Sequence, residues 1–475
     1  MSFIYAKFSI RDSMNAIYVF LVLLISSNAF ANQENYTVKI DHKNHTLQVE
    51  TCFKKAPRYL YTISNNAGKL IENITWNNNN IQRNKGYIYL PKGNKGCVSY
   101  SVNNNKNKGR LNNKSINQQH PNDTLLEISD WLWISANHGK SSVSQITFIH
   151  ETGVNVSTPW QLVSRTHKKT IYQMKYTPDS WVGYTGFGVF DVIELNILNS
   201  TIQLAIINGT NHYNRANIMD WINQMTQAVA KISNGFPVKQ LQVMVFLQKG
   251  SSGPVPWGQV NRYGGSGVFF VVNPDSPQDE LISDWTAAHE FSHLLLPYTP
   301  YDRWLSEGFA SYHQNISRAR TGLLDEVSTW EKLLAGFKRG QRTANQYNAP
   351  VLKNAKGRNR MQMYWGGAVI ALKADAALQA QTKGQMTLSR ALAQLSRCCL
   401  ETSDEWSAAE TFLRLDEITN TQVFTNLYNQ EVKYKTYPSY QKLLEELGIN
   451  EHENGHIILD DNAVKAHIRK RIIKG

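Results

Sequence analysis

His289-Glu290-Phe291-Ser292-His293, followed by Trp304-Leu305-Ser306-Glu307-Gly308-Phe309-Ala310, is the stretch whose reading decides what this chain is. Residues four apart on a helix share a face, so His289 and His293 present two imidazole nitrogens to one tetrahedral ion. Glu290 sits one residue round from that line, the place of a general base that reaches a water rather than the ion. Glu307 brings a third, anionic ligand from the next helix. Three protein ligands leave a fourth position open, which marks a catalytic Zn²⁺, one per chain, rather than a closed structural one. The flanks agree. Ser283 or Asp284 can cap the first helix and Pro297 stops it. Asp302 reads as the cap of the second, which closes with Arg318, Arg320 and Gly322.

Working outward, the apolar period is helical on both sides of this segment. Ile218, Trp221, Ile222, Met225, Val229 and Ile232 predict an amphipathic helix that Gly235-Phe236-Pro237 ends, and strands follow at Leu241 to Leu247 and Gly267 to Val272. Beyond Gly322, the spacing of Trp330, Leu333, Leu334 and Phe337, then of 368–378 and 388–395, predicts a helical subdomain. Upstream the period is two. Short alternating runs at 36–40, 87–90, 145–149 and 203–207, broken by Asn, Gly and Lys, predict an antiparallel β-sandwich in which no chemistry is visible.

The pairing of the HExxH segment with Trp-Leu-Ser-Glu-Gly-Phe-Ala resembles the gluzincin metallopeptidases, and among them the glycyl aminopeptidase family more than the thermolysins. Tyr364-Trp365-Gly366-Gly367-Ala368 looks like the segment in which that clan places a transition-state tyrosine; the resemblance gives Tyr364 the role of donating its phenol O–H to the developing oxyanion. It also implies substrate contacts in Pro256 to Gly265, where relatives carry a glycine-rich strand with an acid that anchors a free α-amine. Here Gly258 fits the strand, whereas Asn261 and Arg262 stand in the acid's place, so an aminopeptidase and an endopeptidase are both compatible with the segment. The fold class expected is α+β: an N-terminal antiparallel β-sandwich region, a thermolysin-like mixed sheet and helix catalytic domain, and a helical C-terminal subdomain. The expected divisions are 1–31 signal peptide, 32–211 β-rich region, 212–325 catalytic sheet and metal-binding helices, 326–450 helical subdomain and 451–475 basic tail.

Composition sets the compartment. Lys7 and Arg11 precede an apolar run from Ile17 to Ile25, and Ala29-Phe30-Ala31 is an A-x-A cleavage site, so the chain reads as exported, periplasmic or secreted. That run is short for a membrane span. Cys52 and Cys97 are the natural disulfide pair, while Cys398 and Cys399 are adjacent and their pairing is open. A net charge of +13 suits contact with acidic envelope polymers, and no nucleic-acid fold signature accompanies it. The tail 467–474 is basic and amphipathic and reads as a frayed, solvated end. The partner expected is a peptide or protein substrate. The contrasting reading is a binding protein on a relic hydrolase fold, for which Glu290 would have no use.

Overall fold

Alternation builds the first layer. In Glu34–Asp41, Tyr36, Val38 and Ile40 are buried while the residues between them face outward, and Thr46–Phe53 and Gly96–Asn103 repeat the pattern. A computed structural model describes residues 34–106, 118–119, 123–178, 181–207, 213–346, 348–400, 404–452 and 456–475; the expected signal segment and most of the polar stretch 103–119 lie outside them. An eight-stranded sheet runs Gln161–Arg165, Lys169–Lys175, Val143–Ile149, Glu34–Asp41, Thr46–Phe53, Gly96–Asn103, Ile71–Trp76, Asn79–Asn80. Two four-stranded sheets share its core, through residues such as Leu60, Ile88, Val156 and Phe187. The expected sandwich is therefore present, with one departure from antiparallel order. Glu34–Asp41 lies parallel to Val143–Ile149, Tyr36 opposite Ile146. These two strands are far apart in sequence, so a long crossover can join them as no hairpin could. Cys52 and Cys97 face each other in register on adjacent strands and form a disulfide.

A second, five-stranded sheet has the order Asp191–Ile197, Ser200–Ile207, Gln240–Leu247, Gly267–Val272, Trp257–Asn261. The run 203–207, expected in the N-terminal β-rich region, is thus a strand of this sheet, parallel to Gln240–Leu247. The central strands read as continuous apolar runs, QLQVMVFL and GVFFVV, because both faces are covered. Val243, Val245, Phe270 and Val272 meet the helices on one face; Met244, Phe246, Phe269 and Val271 meet Leu125 and Tyr184 of the N-terminal part on the other. Trp257–Asn261 is left as an edge strand, paired only with Gly267–Val272.

The helix expected at 218–232 spans Arg215–Ser233, capped by the Asn214 side chain and closed by left-handed Asn234. After the edge strand come Thr286–Ser292, which continues as a 3-10 turn through His293–Leu295, and then Arg303–Arg320. The N-cap of the first is Trp285 rather than Ser283 or Asp284, and Asp284, one residue earlier, accepts from Thr286 N at 2.7 Å. Asp302 is the N-cap residue of the second, but its carboxylate makes no capping hydrogen bond and instead accepts from Trp304 Nε1 at 3.3 Å and Ala408 N at 2.7 Å, tying the helix start to the C-terminal helices. Glu326–Ala344, Arg360–Gln381, Leu388–Cys399 and Ala408–Thr419 form the helical part, with Cys398 and Cys399 joined as a vicinal disulfide.

The basic tail is not frayed. Ala466–Lys474 is a docked helix whose Arg469, 1% exposed, donates to the carbonyls of Leu447, Gly448 and Asp460 at 3.1, 3.2 and 2.9 Å and to Glu326 at 2.9 Å. Charge counting misses this, because a guanidinium supplied with several acceptors can be buried where an ammonium would not be. No helix among the described residues is long and apolar enough to cross a membrane.

Candidate active site

The 286–292 helix is buried along its whole length, between the sheet and the 303–320 helix. It carries His289 at its middle, while His293 falls on the 3-10 turn that follows. One turn into the next helix, Glu307 turns inward. His289 Nε2 and His293 Nε2 lie 3.3 and 3.5 Å from the same oxygen, Glu307 Oε2, and the three donor atoms lie within 4.8 Å of one another. All three residues are buried. Two imidazole nitrogens and a carboxylate oxygen converging on one point are a donor set of the kind zinc takes.

The outer contacts fit that reading. His289 Nδ1 donates to Gln314 Oε1 at 2.8 Å, and His293 Nδ1 shares a 2.9 Å hydrogen bond with Ser306 Oγ. Fixing a proton on Nδ1 of His289 leaves the Nε2 lone pair for an ion. Arg303 Nη2 donates to Glu307 Oε1 at 3.0 Å, holding the oxygen that faces away from the imidazoles. Burial works against a charge on Glu307, but the two imidazoles outweigh it and hold its carboxyl well below the usual range. None of Arg303, Ser306 or Gln314 was singled out from the sequence. Helix periodicity offered a signal for two of them, since Arg303 and Gln314 stand four before and seven after Glu307, on its own face.

Glu290 points to the edge strand. A Cβ added to Gly258 would stand 2.7 Å from Glu290 Cγ and 2.9 Å from Thr286 Cγ2, so only glycine lets the strand pass this close. The Glu290 carboxylate accepts a hydrogen bond from the Val260 backbone N–H. Its pKa is raised chiefly by burial, with the imidazoles pulling the other way and Glu307 adding to the rise.

Tyr364 reaches the site from the 360–381 helix. Its ring stacks on His289, with centroids 5.8 Å apart and planes 4° from parallel, and its hydroxyl bonds to Glu307. Burial first, and then the Glu307 charge, push the phenol far up, so it stays an O–H donor at any working pH. A pair of glycines makes this approach possible. A Cβ on Gly308 would lie 2.3 Å from Gly367 Cα, and one on Gly367 would lie 2.0 Å from Trp304 O. The two helices therefore touch backbone to backbone, which sets Tyr364 over Glu307. Trp285, 47% exposed, also stands edge-on to His289 at 5.5 Å.

Asn261 and Arg262 are not brought to the centre. On the edge strand Gly258 faces the 286–292 helix, whereas Asn261 sits on the opposite face, its Cβ beside Gly267, and is only 3% exposed. The period of two separates them. Arg262 Nη2 donates to His293 O at 2.8 Å and Leu296 O at 3.0 Å, so its charge satisfies carbonyls at the end of the histidine-bearing helix rather than meeting substrate. Burial lowers its pKa to about 10, which leaves it protonated near neutrality.

No family model and no curated protein matches the chain. Solved structures do. An aminopeptidase N family protein from Idiomarina loihiensis superposes with a TM-score of 0.64 at 15% identity, covering 88% of this chain and 78% of that one. This chain has the M1 aminopeptidase fold. A mutant M1 zinc metallopeptidase from Deinococcus radiodurans bound to a Tyr-Ser-Ala substrate matches at a TM-score of 0.53 and 12% identity, covering 86% and 95%. Native yeast LTA4 hydrolase matches at 0.52 and 12%, covering 88% and 70%. The shared architecture of N-terminal sheets, mixed catalytic sheet and C-terminal helices agrees with the gluzincin expectation.

Proposed function

We propose that this chain is an exported zinc-dependent peptidase. One observation carries the reading: the His289–His293–Glu307 donor set is flanked by both a buried carboxylate, Glu290, and a protonated phenol, Tyr364. A binding relic needs neither. Zn²⁺, when bound by His289, His293 and Glu307, supplies Lewis-acid polarisation of the scissile carbonyl and makes water acidic enough to attack near neutral pH. Glu290 takes the proton of the attacking water, its raised pKa suiting it to hold that proton and then give it to the leaving amine. Tyr364 donates its O–H to the oxygen on which negative charge develops. The free edge of Trp257–Asn261 suits an extended peptide added as one more strand, with its scissile carbonyl lying over the metal site.

Asn261 lies on the far face of the strand, and Arg262 is engaged elsewhere. The segment expected to anchor a free α-amine thus offers no acid to do so, which favours internal cleavage over strict N-terminal trimming. Export is supported by the N-terminal A-x-A segment and by the two disulfides. The test is hydrolysis of a mixed peptide library read by mass spectrometry, with Glu290→Gln and a chelated sample as controls. Internal cuts are expected, lost on chelation and slowed by about 10²–10⁴-fold in Glu290→Gln. Stepwise trimming from the N-terminus would make it an aminopeptidase instead, and absence of any metal-dependent cleavage would return the chain to the binding-protein class.

A further inference from the structure

We propose that Arg303 forms a carboxylate-binding subsite at the mouth of this site, so that peptides carrying a carboxylate beside the scissile bond are preferred. The proposal rests on the peptidase reading and adds its substrate class. Arg303 opens the 303–320 helix one turn before Glu307, and its side chain is 59% exposed although its Nη2 lies 3.0 Å from Glu307 Oε1. That single contact occupies one of five N–H donors. The Nε–H and Nη1–H groups make no hydrogen bond to a described residue. The charge lies close enough to act on the phenols of Tyr364 and Tyr298, which places it on the side of the site where the oxyanion donor stands.

A guanidinium held at one corner, with its remaining donors open beside the reacting centre, is a preorganised receptor for a planar anion, because a carboxylate pairs with two parallel N–H groups. Arg262, at the end of the edge strand, does not compete, since it is committed to two backbone carbonyls. The carboxylate can come from an acidic side chain flanking the scissile bond or from the free C-terminus of a short peptide. The two sources present the same group to Arg303 and differ only in where it hangs.

Matched peptides separate them: Asp against Asn, and Glu against Gln, beside the cleaved bond, and free acid against amide at the C-terminus of a short peptide. Each pair is run with the full chain, Arg303→Leu and Arg303→Lys, recording kcat and KM separately together with bound zinc. Binding of the same pairs to Glu290→Gln is measured by calorimetry. In wild type the KM of the carboxylate member is expected to be about tenfold lower in at least one pair type, which then identifies the source. Arg303→Leu should bring that ratio to near one with zinc retained, and Arg303→Lys should keep part of it. Equal KM values within every pair in wild type would overturn the proposal. So would an Arg303→Leu variant that loses zinc and slows on all peptides alike, because Arg303 would then only position Glu307. A binding preference that survives without any cleavage would remove the peptidase reading and leave the subsite standing.

Discussion

The two walls of the site are made in different ways. On the strand side, Trp257–Asn261 contributes backbone: Gly258 has no side chain, Val260 gives its N–H to Glu290, Asn261 looks to the far face and Arg262 holds the end of the neighbouring helix. On the helical side everything is side chain: Glu307, Arg303 and Gln314 from one helix, Tyr364 from another. A wall of backbone treats all extended peptides alike, whereas a wall of oriented side chains can distinguish them. In the proposed peptidase, chemistry and selectivity therefore belong to the helical wall, and the strand wall supplies alignment.

That division can be broken by removing one group from each wall. Tyr364→Phe deletes a single hydroxyl from the helical wall and leaves the ring stacked on His289. If the O–H serves the developing oxyanion, kcat falls by about 10²–10³-fold while KM hardly moves. Steady-state kinetics with one good peptide decides it, and a loss confined to KM would assign Tyr364 to ground-state binding instead. Gly258→Ala adds a single methyl to the strand wall. It meets the Glu290 and Thr286 side chains at 2.7 and 2.9 Å, so the carboxylate or the strand must shift. The expectation is a loss of about tenfold in kcat with an unchanged melting temperature, since misplacing a catalytic group is costly while an edge strand can give way. An Ala variant as active as wild type would show that Glu290 does not depend on the strand for its position.

The sequence made the helical wall far more legible than the strand wall, and the physical reason is periodicity. His289 and Glu290 lie on a short helix that runs on into the turn carrying His293, so spacing alone fixes which side chains meet, and Tyr364 stands in a segment that resembles a known one. Arg303 and Gln314 obey the same spacing about Glu307 and could have been found by it. The strand was harder. Near a β-edge, a shift of one residue sends a side chain to the other face, so Asn261 and Arg262 could be placed along the chain but not about it. The sandwich and its Cys52–Cys97 disulfide followed from alternation and cysteine count. The parallel pairing of Glu34–Asp41 with Val143–Ile149 and the docking of Arg469 did not, because the first depends on a strand more than a hundred residues distant and the second on backbone carbonyls that a turn gathers and on the distant Glu326.

The smallest effect on activity should come from the residue that the family resemblance made most important. Asn261 stands where relatives have an acid for the substrate amine, so Asn261→Asp restores that charge with almost no change in size. If residue 261 faced the substrate, the variant would gain in cleaving peptides with a free N-terminus over acetylated ones. The structure places its side chain beside Gly267 on the face turned from Glu290, with Oδ1 buried and without a hydrogen-bond partner. The expected change in the free-to-acetylated ratio is below about twofold, because a buried side chain that does not meet the substrate adds no discrimination between substrates. The cost appears in the fold instead: an uncompensated carboxylate at a 3% exposed position should destabilise by about 1–3 kcal/mol and lower the melting temperature. A tenfold gain for free amines in Asn261→Asp would mean that the strand wall does read side chains, and the contrast between the two walls would fail at its weakest residue.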